Sequence, residues 1–298
     1  MLIVFDIGGS LIRAAAGTNA LDLRSLGECA TPLADYADFV AALRTFLPQD
    51  KPDAAVKISI TGTLDPETGE MTVANIPALN GRRLKADLEA ALARSVDIAN
   101  DADCFALAEA QLGAGVGHRV VFGAILGSGV GGGLIIDGRI HSGSRGVAGE
   151  WGHGPIAATY IDDLDLALPR FACGCGLKGC LDTIGGGPGL TTLYHHLTGH
   201  TLEPAAIVMA WREGEAPAAR AIAAHRALLA PALAMVINIV GADIVPVGGG
   251  LGRAHDLVSG LDEAVRALML HPPARPILVP AAVDVLTPGL VGAALLGA

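Results

Sequence analysis

The chain has 298 residues, 51% hydrophobic and 17% charged, which is enough for two lobes with separate cores and too apolar for a disordered chain. A formal net charge of −10 and a pI near 5.3 leave no basic stripe to neutralise phosphates, so nucleic acid is not an expected partner. A nucleotide is still admissible, because a few backbone amides and a metal ion suffice to hold one.

The opening residues, Met1 to Asp6, lack a basic segment and carry only a short apolar run, so they do not read as a signal peptide and a cytoplasmic protein is expected. Residues 2–5 and 12–16 are short apolar runs around Asp6-Ile7-Gly8-Gly9-Ser10, which predicts a strand, a tight glycine turn and a second strand. In that turn a carboxylate ends an apolar strand, Gly8 and Gly9 permit close backbone approach, and Ser10 offers a hydroxyl to a phosphate; an ordinary hairpin turn is the bland alternative. Residues 35–47 have helical spacing, 54–60 form a β-branched run, 82–94 are helical, and 96–99 form a buried strand. Strands alternating with helices predict a largely parallel or mixed sheet, hence an α/β fold.

Asn100-Asp101-Ala102-Asp103 then opens a helix whose apolar residues Cys104, Leu107, Ala108 and Leu112 recur at helical spacing. One reading is a helix cap with acids near the positive helix end. The sharper one has Asp101 accept a proton from a substrate hydroxyl that Asn100 orients. Near residue 117 the pattern breaks. Residues 120–126, Gly127-Ser128-Gly129-Val130-Gly131-Gly132-Gly133 and 134–136 then repeat the strand, glycine turn, strand theme. That recurrence predicts two related lobes, 1–117 and 118–287, the first completed by a C-terminal helix at about 288–298.

Gly149-Glu150-Trp151-Gly152-His153 precedes Cys173-Gly-Cys175-Gly-Leu-Lys-Gly-Cys180. Three thiolates at C-x-C-x4-C spacing and one imidazole can close a tetrahedral shell, so His153, Cys173, Cys175 and Cys180 are read as ligands of a structural Zn²⁺. An odd cysteine total favours a metal in a reducing compartment over a disulfide framework, and Cys29 and Cys104 read as core residues. A metal that pins His153 would also fix the loop carrying Glu150. His195, His196, His200 and His255 read as surface residues. Helices are predicted at about 189–197 and 216–240. The uncharged stretch 227–242 contains Pro231 and Asn238 and falls short of the roughly 20 residues that span a bilayer, so it reads as a buried helix and no membrane partner is expected. The strand at 244–247 runs into Gly248-Gly249-Gly250, where a ligand at the carboxyl end of a sheet would sit, and Gly249 and Gly250 would suit the adenosine end of a nucleotide. The proline-rich tail reads as a series of short broken elements. No Walker or dinucleotide fingerprint occurs, which speaks against a P-loop enzyme and against NAD.

Taken in order, these motifs resemble the ROK family of sugar kinases and regulators, within the actin-like ATPase and hexokinase superfamily, over nearly the whole chain. The resemblance implies a two-lobed ribonuclease H-like fold closing on ATP and a hexose, and a family that favours homodimers. It implies Asp101 as base for the attacking hydroxyl, and Asp6 near Mg²⁺ through water. Phosphates would lie on Gly8, Gly9, Ser10, Gly127, Ser128, Gly129, Gly131 and Gly132, with Zn²⁺ on His153 and the three cysteines. By the same match Gly62, Asn75, Asn100, Asp101, Glu150, His153 and Asp182 would line the sugar. Ala74-Asn75-Ile76-Pro77, the long gap from His153 to Cys173 and the 100–109 segment look most like the family's bacterial N-acetylglucosamine kinases, which implies transfer to that sugar's 6-hydroxyl. Glucose, another hexose or N-acetylmannosamine is the alternative substrate, and a catalytically silent sugar-binding protein the minority reading. Departures bear on substrate choice: Ser10 and Leu11 stand where the family commonly has Thr and Lys or Asn, Thr61 replaces a Pro, and Asp182 stands where a longer Glu is usual. Regulators of the family carry a helix-turn-helix segment ahead of the first phosphate motif, whereas Asp6 comes five positions after Met1, so that reading is set aside.

Overall fold

The computed structural model describes residues 1–155, 157–283 and 286–297. Its first half begins with β1 (Leu2–Ile7), β2 (Leu11–Gly17) and β3 (Arg24–Ala30), followed by α1 (Tyr36–Arg44), β4 (Ala55–Ile60) and a small hairpin of β5 (Thr63–Leu64) and β6 (Met71–Thr72). Next come α2 (Leu84–Leu92), β7 (Val96–Asn100) and α3 (Asp101–Leu112). Helix α1 starts where Asp35 accepts hydrogen bonds from the amides of Ala37 and Asp38, and α2 buries Leu84, Leu88 and Leu92 at one-turn spacing.

The second half repeats the plan with β8 (Val120–Leu126), β9 (Val130–Ile136) and β10 (Arg139–Ile140). Between its sheet strands lie β11 (Tyr160–Ile161), β12 (Leu166–Ala167), α4 (Asp182–Gly185), α5 (Gly187–Thr198), α6 (Pro204–Arg212) and α7 (Ala216–Val240). The chain then runs through β13 (Val245–Gly248), α8 (Gly249–Gly252), α9 (His255–Leu268), β14 (Leu278–Pro280) and α10 (Pro288–Leu295).

Strand order is β3-β2-β1-β4-β7 in one sheet and β10-β9-β8-β13-β14 in the other. In each, three strands meander antiparallel and two more add in parallel to the first strand. The two halves are therefore the same topological unit, and the repeated strand, glycine turn, strand motif is the first hairpin of each.

Each sheet has its own core. Ile3, Phe5, Ile58 and Ile60 pack with Phe39, Leu43 and Leu88 on the first, and Phe122, Leu126, Leu190, Leu229 and Leu261 belong to the second. A third cluster joins them: Val4 and Ala15 from the first sheet, Val121 and Ile135 from the second, Cys104, Ala106 and Leu107 from α3, and Leu290, Ala293 and Ala294 from α10. Helix α10 comes back from the second half to lie on α3 and β1. Its Gly292 touches α3 so closely that a Cβ there would collide with the carbonyl of Cys104. Buried Lys57 on β4 donates to the carbonyl of Leu296, tying the end of α10 to the first sheet.

Three elements depart from the sequence reading. Strand β3 was not foreseen, because its residues are exposed on both faces and show no alternation. Helix α9 lies ahead of the proline-rich tail, in a stretch to which the sequence reading assigned no element, and buries Leu257, Val258, Leu261 and Val265. Helix α6 starts at Pro204, whose fixed φ suits a first helical position. Helix α7, the one described helix long and apolar enough to cross a membrane, is a core helix packed on α5, α6 and α9.

Candidate active site

The first glycine turn is held from beneath. The Gly8 amide donates to the Leu11 carbonyl at 3.0 Å, and the buried hydroxyl of Thr31 donates to the Gly8 carbonyl at 2.7 Å. Asn75 lies against the turn, for a Cβ on Gly9 would come within 2.8 Å of its Nδ2. Ser10 is exposed. Asp6, one strand residue earlier, accepts from the Ser59 hydroxyl at 3.1 Å and from the Thr287 hydroxyl at 2.8 Å. Thr287 also caps α10, so the return of the chain fixes this carboxylate.

In the second turn the Gly127 amide donates to the Gly129 carbonyl at 3.0 Å and the Gly187 amide donates to the Gly127 carbonyl at 2.8 Å. Gly249, at φ +82°, sits so close that a Cβ would meet the Leu126 carbonyl group, which only glycine avoids. The turn proper is Gly127-Ser128-Gly129. Gly131 and Gly132 belong instead to strand β9, so the expectation that they form part of the turn is corrected. A Cβ on Gly132 would strike Phe122 and Trp151, so that glycine admits the tryptophan, whose indole N–H donates to the Gly131 carbonyl at 2.8 Å. At Gly132 and Gly133 the surplus of glycine in this segment is packing, for a Cβ on Gly133 would meet the Ala102 carbonyl.

Helix α3 begins between the two turns. The Asn100 side chain caps it, accepting from the amides of Ala102 at 2.8 Å and Asp103 at 3.2 Å, while its Nδ2 donates to the Gly62 carbonyl at 2.8 Å. Gly62 takes φ +95° with β6 pressed against it. The cap is thus Asn100, which frees the Asp101 carboxylate to face the cavity it shares with Asp6. Burial, and then the negative charge of Asp6, raise Asp101 to about 6, despite an amide hydrogen bond from Ala102. Asp103 is a residue whose part the sequence reading missed. It is buried, one of its oxygens has no partner among the described residues, and burial followed by the charges of Glu150 and Asp101 pushes it to about 7.

Glu150 is partly buried and raised by that burial, an effect opposed by His153 and reinforced by Asp182. His153 turns Nδ1 to Cys173 Sγ at 3.6 Å and Nε2 to Glu150 at 3.7 Å. Cys175 Sγ lies 3.6 Å from Cys180 Sγ, and the four ligand atoms of His153, Cys173, Cys175 and Cys180 all lie within 4.8 Å of one another. A tetrahedral ion with Zn–S bonds of about 2.3 Å needs ligand separations slightly under 4 Å, so the donor set and its spacing fit a closed zinc shell. Asp182 accepts from the Val130 amide at 2.9 Å and places its other oxygen 3.7 Å from Cys173 Sγ. It therefore links the cysteine cluster to the second glycine turn. The four histidines read as surface residues are exposed, though His255 borders the cavity of Asp6 and Asp101.

Two topologically equivalent α/β units, a glycine turn from each, and an acid at the head of the helix between them define a protein of the actin-like ATPase and hexokinase class. The model of the ROK family matches residues 2–298, and the chain belongs to that family. It is 38% identical to the N-acetyl-D-glucosamine kinase of Erwinia tasmaniensis over 276 residues, 91% of each chain. It is 36% identical over 268 residues to the N-acetylgalactosamine kinase of a Shewanella species, covering 88% of this chain and 85% of that one. Among solved structures, a ROK family glucokinase from Streptomyces griseus in complex with glucose and AMPPNP superposes with a TM-score of 0.77 at 26% identity, covering 99% of this chain and 98% of that one.

Proposed function

We propose that the protein is a cytoplasmic, ATP-dependent sugar kinase that phosphorylates the 6-hydroxyl of N-acetylglucosamine. The observation that carries this reading is Asp101, released from capping α3 by Asn100 and facing the same cavity as Asp6 and the Gly248–Gly250 segment. An acidity near 6 makes its carboxylate a competent base at neutral pH. It takes the hydroxyl proton as that oxygen bonds to the terminal phosphorus and the bond to the ADP oxygen breaks. Catalysis comes mostly from placing the reactants and from fixed charge.

Gly8, Gly9, Ser10 and Gly127, Ser128, Gly129 form the turns that face the phosphates, with the amides of Gly8 and Gly127 spent within the turns and those of the other residues and the two hydroxyls on offer, and Gly249 and Gly250 border the nucleotide where its phosphates meet the adenosine. Both Asp6 oxygens already accept from hydroxyls, which leaves lone pairs for the water shell of Mg²⁺, an ion that keeps several waters. Mg²⁺ held there would supply charge neutralisation for the transferring phosphate. Gly62, Asn75, Asn100, Glu150, His153 and Asp182 line the sugar. His153 gives one nitrogen to the zinc shell and keeps the other for the pocket beside Glu150. The zinc is structural, and its work is to fix that loop.

The two lobes are 1–117 with 288–298, and 118–287; Ala298 lies outside the described residues. An exposed apolar stripe on α7, Pro231, Met235 and Ile239, supports a homodimer. The relative from Erwinia tasmaniensis supports the acetylated glucose, and that from Shewanella supports its galactose counterpart as a second reading. The test is ADP release with ATP, Mg²⁺ and a panel of N-acetylglucosamine, N-acetylgalactosamine, N-acetylmannosamine and glucose. Dominance of N-acetylglucosamine is expected; turnover with none of them would leave a sugar-binding protein.

A further inference from the structure

Two cavities meet at Gly250 and Arg253. One, of about 830 Å3, holds Asp6 and Asp101 and is walled by β13, α8 and residues 281, 283 and 286–289. The other, of about 800 Å3, begins at Gly127 and Ser128 and is floored by Pro188, Pro204, Val208, Met209 and Leu251. An apolar floor suits a flat heteroaromatic base, and the carboxylate-bearing cavity suits phosphates that bring a divalent cation. A nucleoside triphosphate spanning both must cross at Gly250 and Arg253.

The cations available along that path are few. The carboxylate cavity is bordered by Arg253 and His255, and the apolar one by Arg212 and Arg253. Arg212 spends its guanidinium on Asp256, donating two hydrogen bonds at 2.7 and 2.6 Å. Arg253 is exposed and makes no side-chain hydrogen bond or ion pair among the described residues. Its backbone is nonetheless fixed. Gly252 and Ala254 on either side are buried, the Ala254 amide donates to the Leu251 carbonyl at 3.0 Å, and Gly249 is locked against the second glycine turn.

We propose that Arg253 grips the polyphosphate of the nucleotide where it passes from the apolar cavity to the carboxylates. This rests on the kinase reading. A guanidinium presents a planar fork of donors that bonds phosphate oxygens in pairs, and it stays charged throughout the working pH range. Asp6 and Asp101 on one side and Glu203 on the other repel a polyanion, and Arg253 opposes that repulsion at the crossing point.

The test measures equilibrium binding of ATP, ADP, AMP and adenosine, with Mg²⁺, to wild type, Arg253→Ala and Arg253→Lys, together with steady-state kinetics. Arg253→Ala is expected to weaken ATP and ADP by roughly 10- to 100-fold, with Lys in between, while adenosine affinity and the KM for sugar stay within about twofold. Unchanged ADP affinity in Arg253→Ala, with a wild type that turns over ATP, overturns the inference and leaves the kinase standing. An equal loss for adenosine and ADP overturns it too, placing Arg253 at the base or ribose. A wild type that binds no nucleotide removes the kinase reading and the inference with it.

Discussion

The two hairpins that open the two sheets are equivalent in topology and unlike in support. Beneath the first turn are side chains: Thr31 bonds Gly8, Asn75 leans on Gly9, and two hydroxyls hold Asp6. Beneath the second are backbone groups, with Gly187 donating to Gly127 and Gly249 pressed on Leu126, plus one carboxylate, Asp182, leading to Cys173. The first half is braced by many weak and separable contacts, while the second half hangs on a chain of few members ending in the cluster of His153 and three cysteines. Between them stands α3, whose first turn belongs to neither.

The largest expected effect is at that shared point. Asp101→Asn should lower kcat by about 10³-fold or more with sugar affinity kept within a few fold, measured by ADP release and calorimetry; a smaller loss would take the base away from Asp101. In wild type, kcat/KM should fall about tenfold per pH unit below about pH 6, because Asp101 must be deprotonated to accept a proton.

Next comes the contrast between the supports. Stripping the metal with a chelator, or Cys173→Ser with Cys180→Ser, should cut activity by on the order of 100-fold and lower Tm by several degrees, read beside bound zinc by metal analysis. Thr31→Val, which removes one hydrogen bond from the first turn, should cost only about 1 kcal/mol and raise the KM for ATP a few fold. If the two changes proved equally damaging, the contrast between the halves would collapse.

Gly292→Val tests the joint between the halves. A side chain there collides with Cys104, so a loss of at least about 3 kcal/mol is expected, seen as a lowered urea midpoint.

Asp103→Asn tests the acid buried beside the base. Below about pH 4 Asp103 is protonated in both folded and unfolded chains and costs nothing. Because its folded value is raised to about 7, the penalty builds as pH rises from about 4 to 7 and is constant above. The variant should therefore be more stable than wild type at pH 8 and indistinguishable at pH 4, by thermal melts at each pH. The acid limb of kcat/KM should barely move, since Asp103 still holds its proton where Asp101 titrates.

What could be read beforehand follows from how local each signal is. The glycine turns, the start of α3 and the cysteine cluster are written in neighbouring residues, and each forms where its pattern stands. The reading of Gly131 and Gly132 as turn residues failed because a strand glycine that admits an indole looks, in one dimension, the same as a turn glycine. Strand β3 carries no alternation because all of its residues but Cys29 are exposed. The bond from Thr287 to Asp6 joins residues from opposite ends of the chain, and no spacing rule reaches that far. Arg253 follows a glycine run that drew attention to itself alone. Its meaning comes from the two cavities that meet beside it.

The return of α10 to the first sheet means that the chain passes between the halves twice, once through α3 and once ahead of Pro288. Two crossings side by side, packed around Gly292 and the apolar cluster at Cys104, join the halves more firmly than a single linker would and oppose sliding or twisting of one on the other. Asp101, at the first residue of α3, therefore stands beside that joint rather than out on either half, where a shift of one sheet against the other would displace it least.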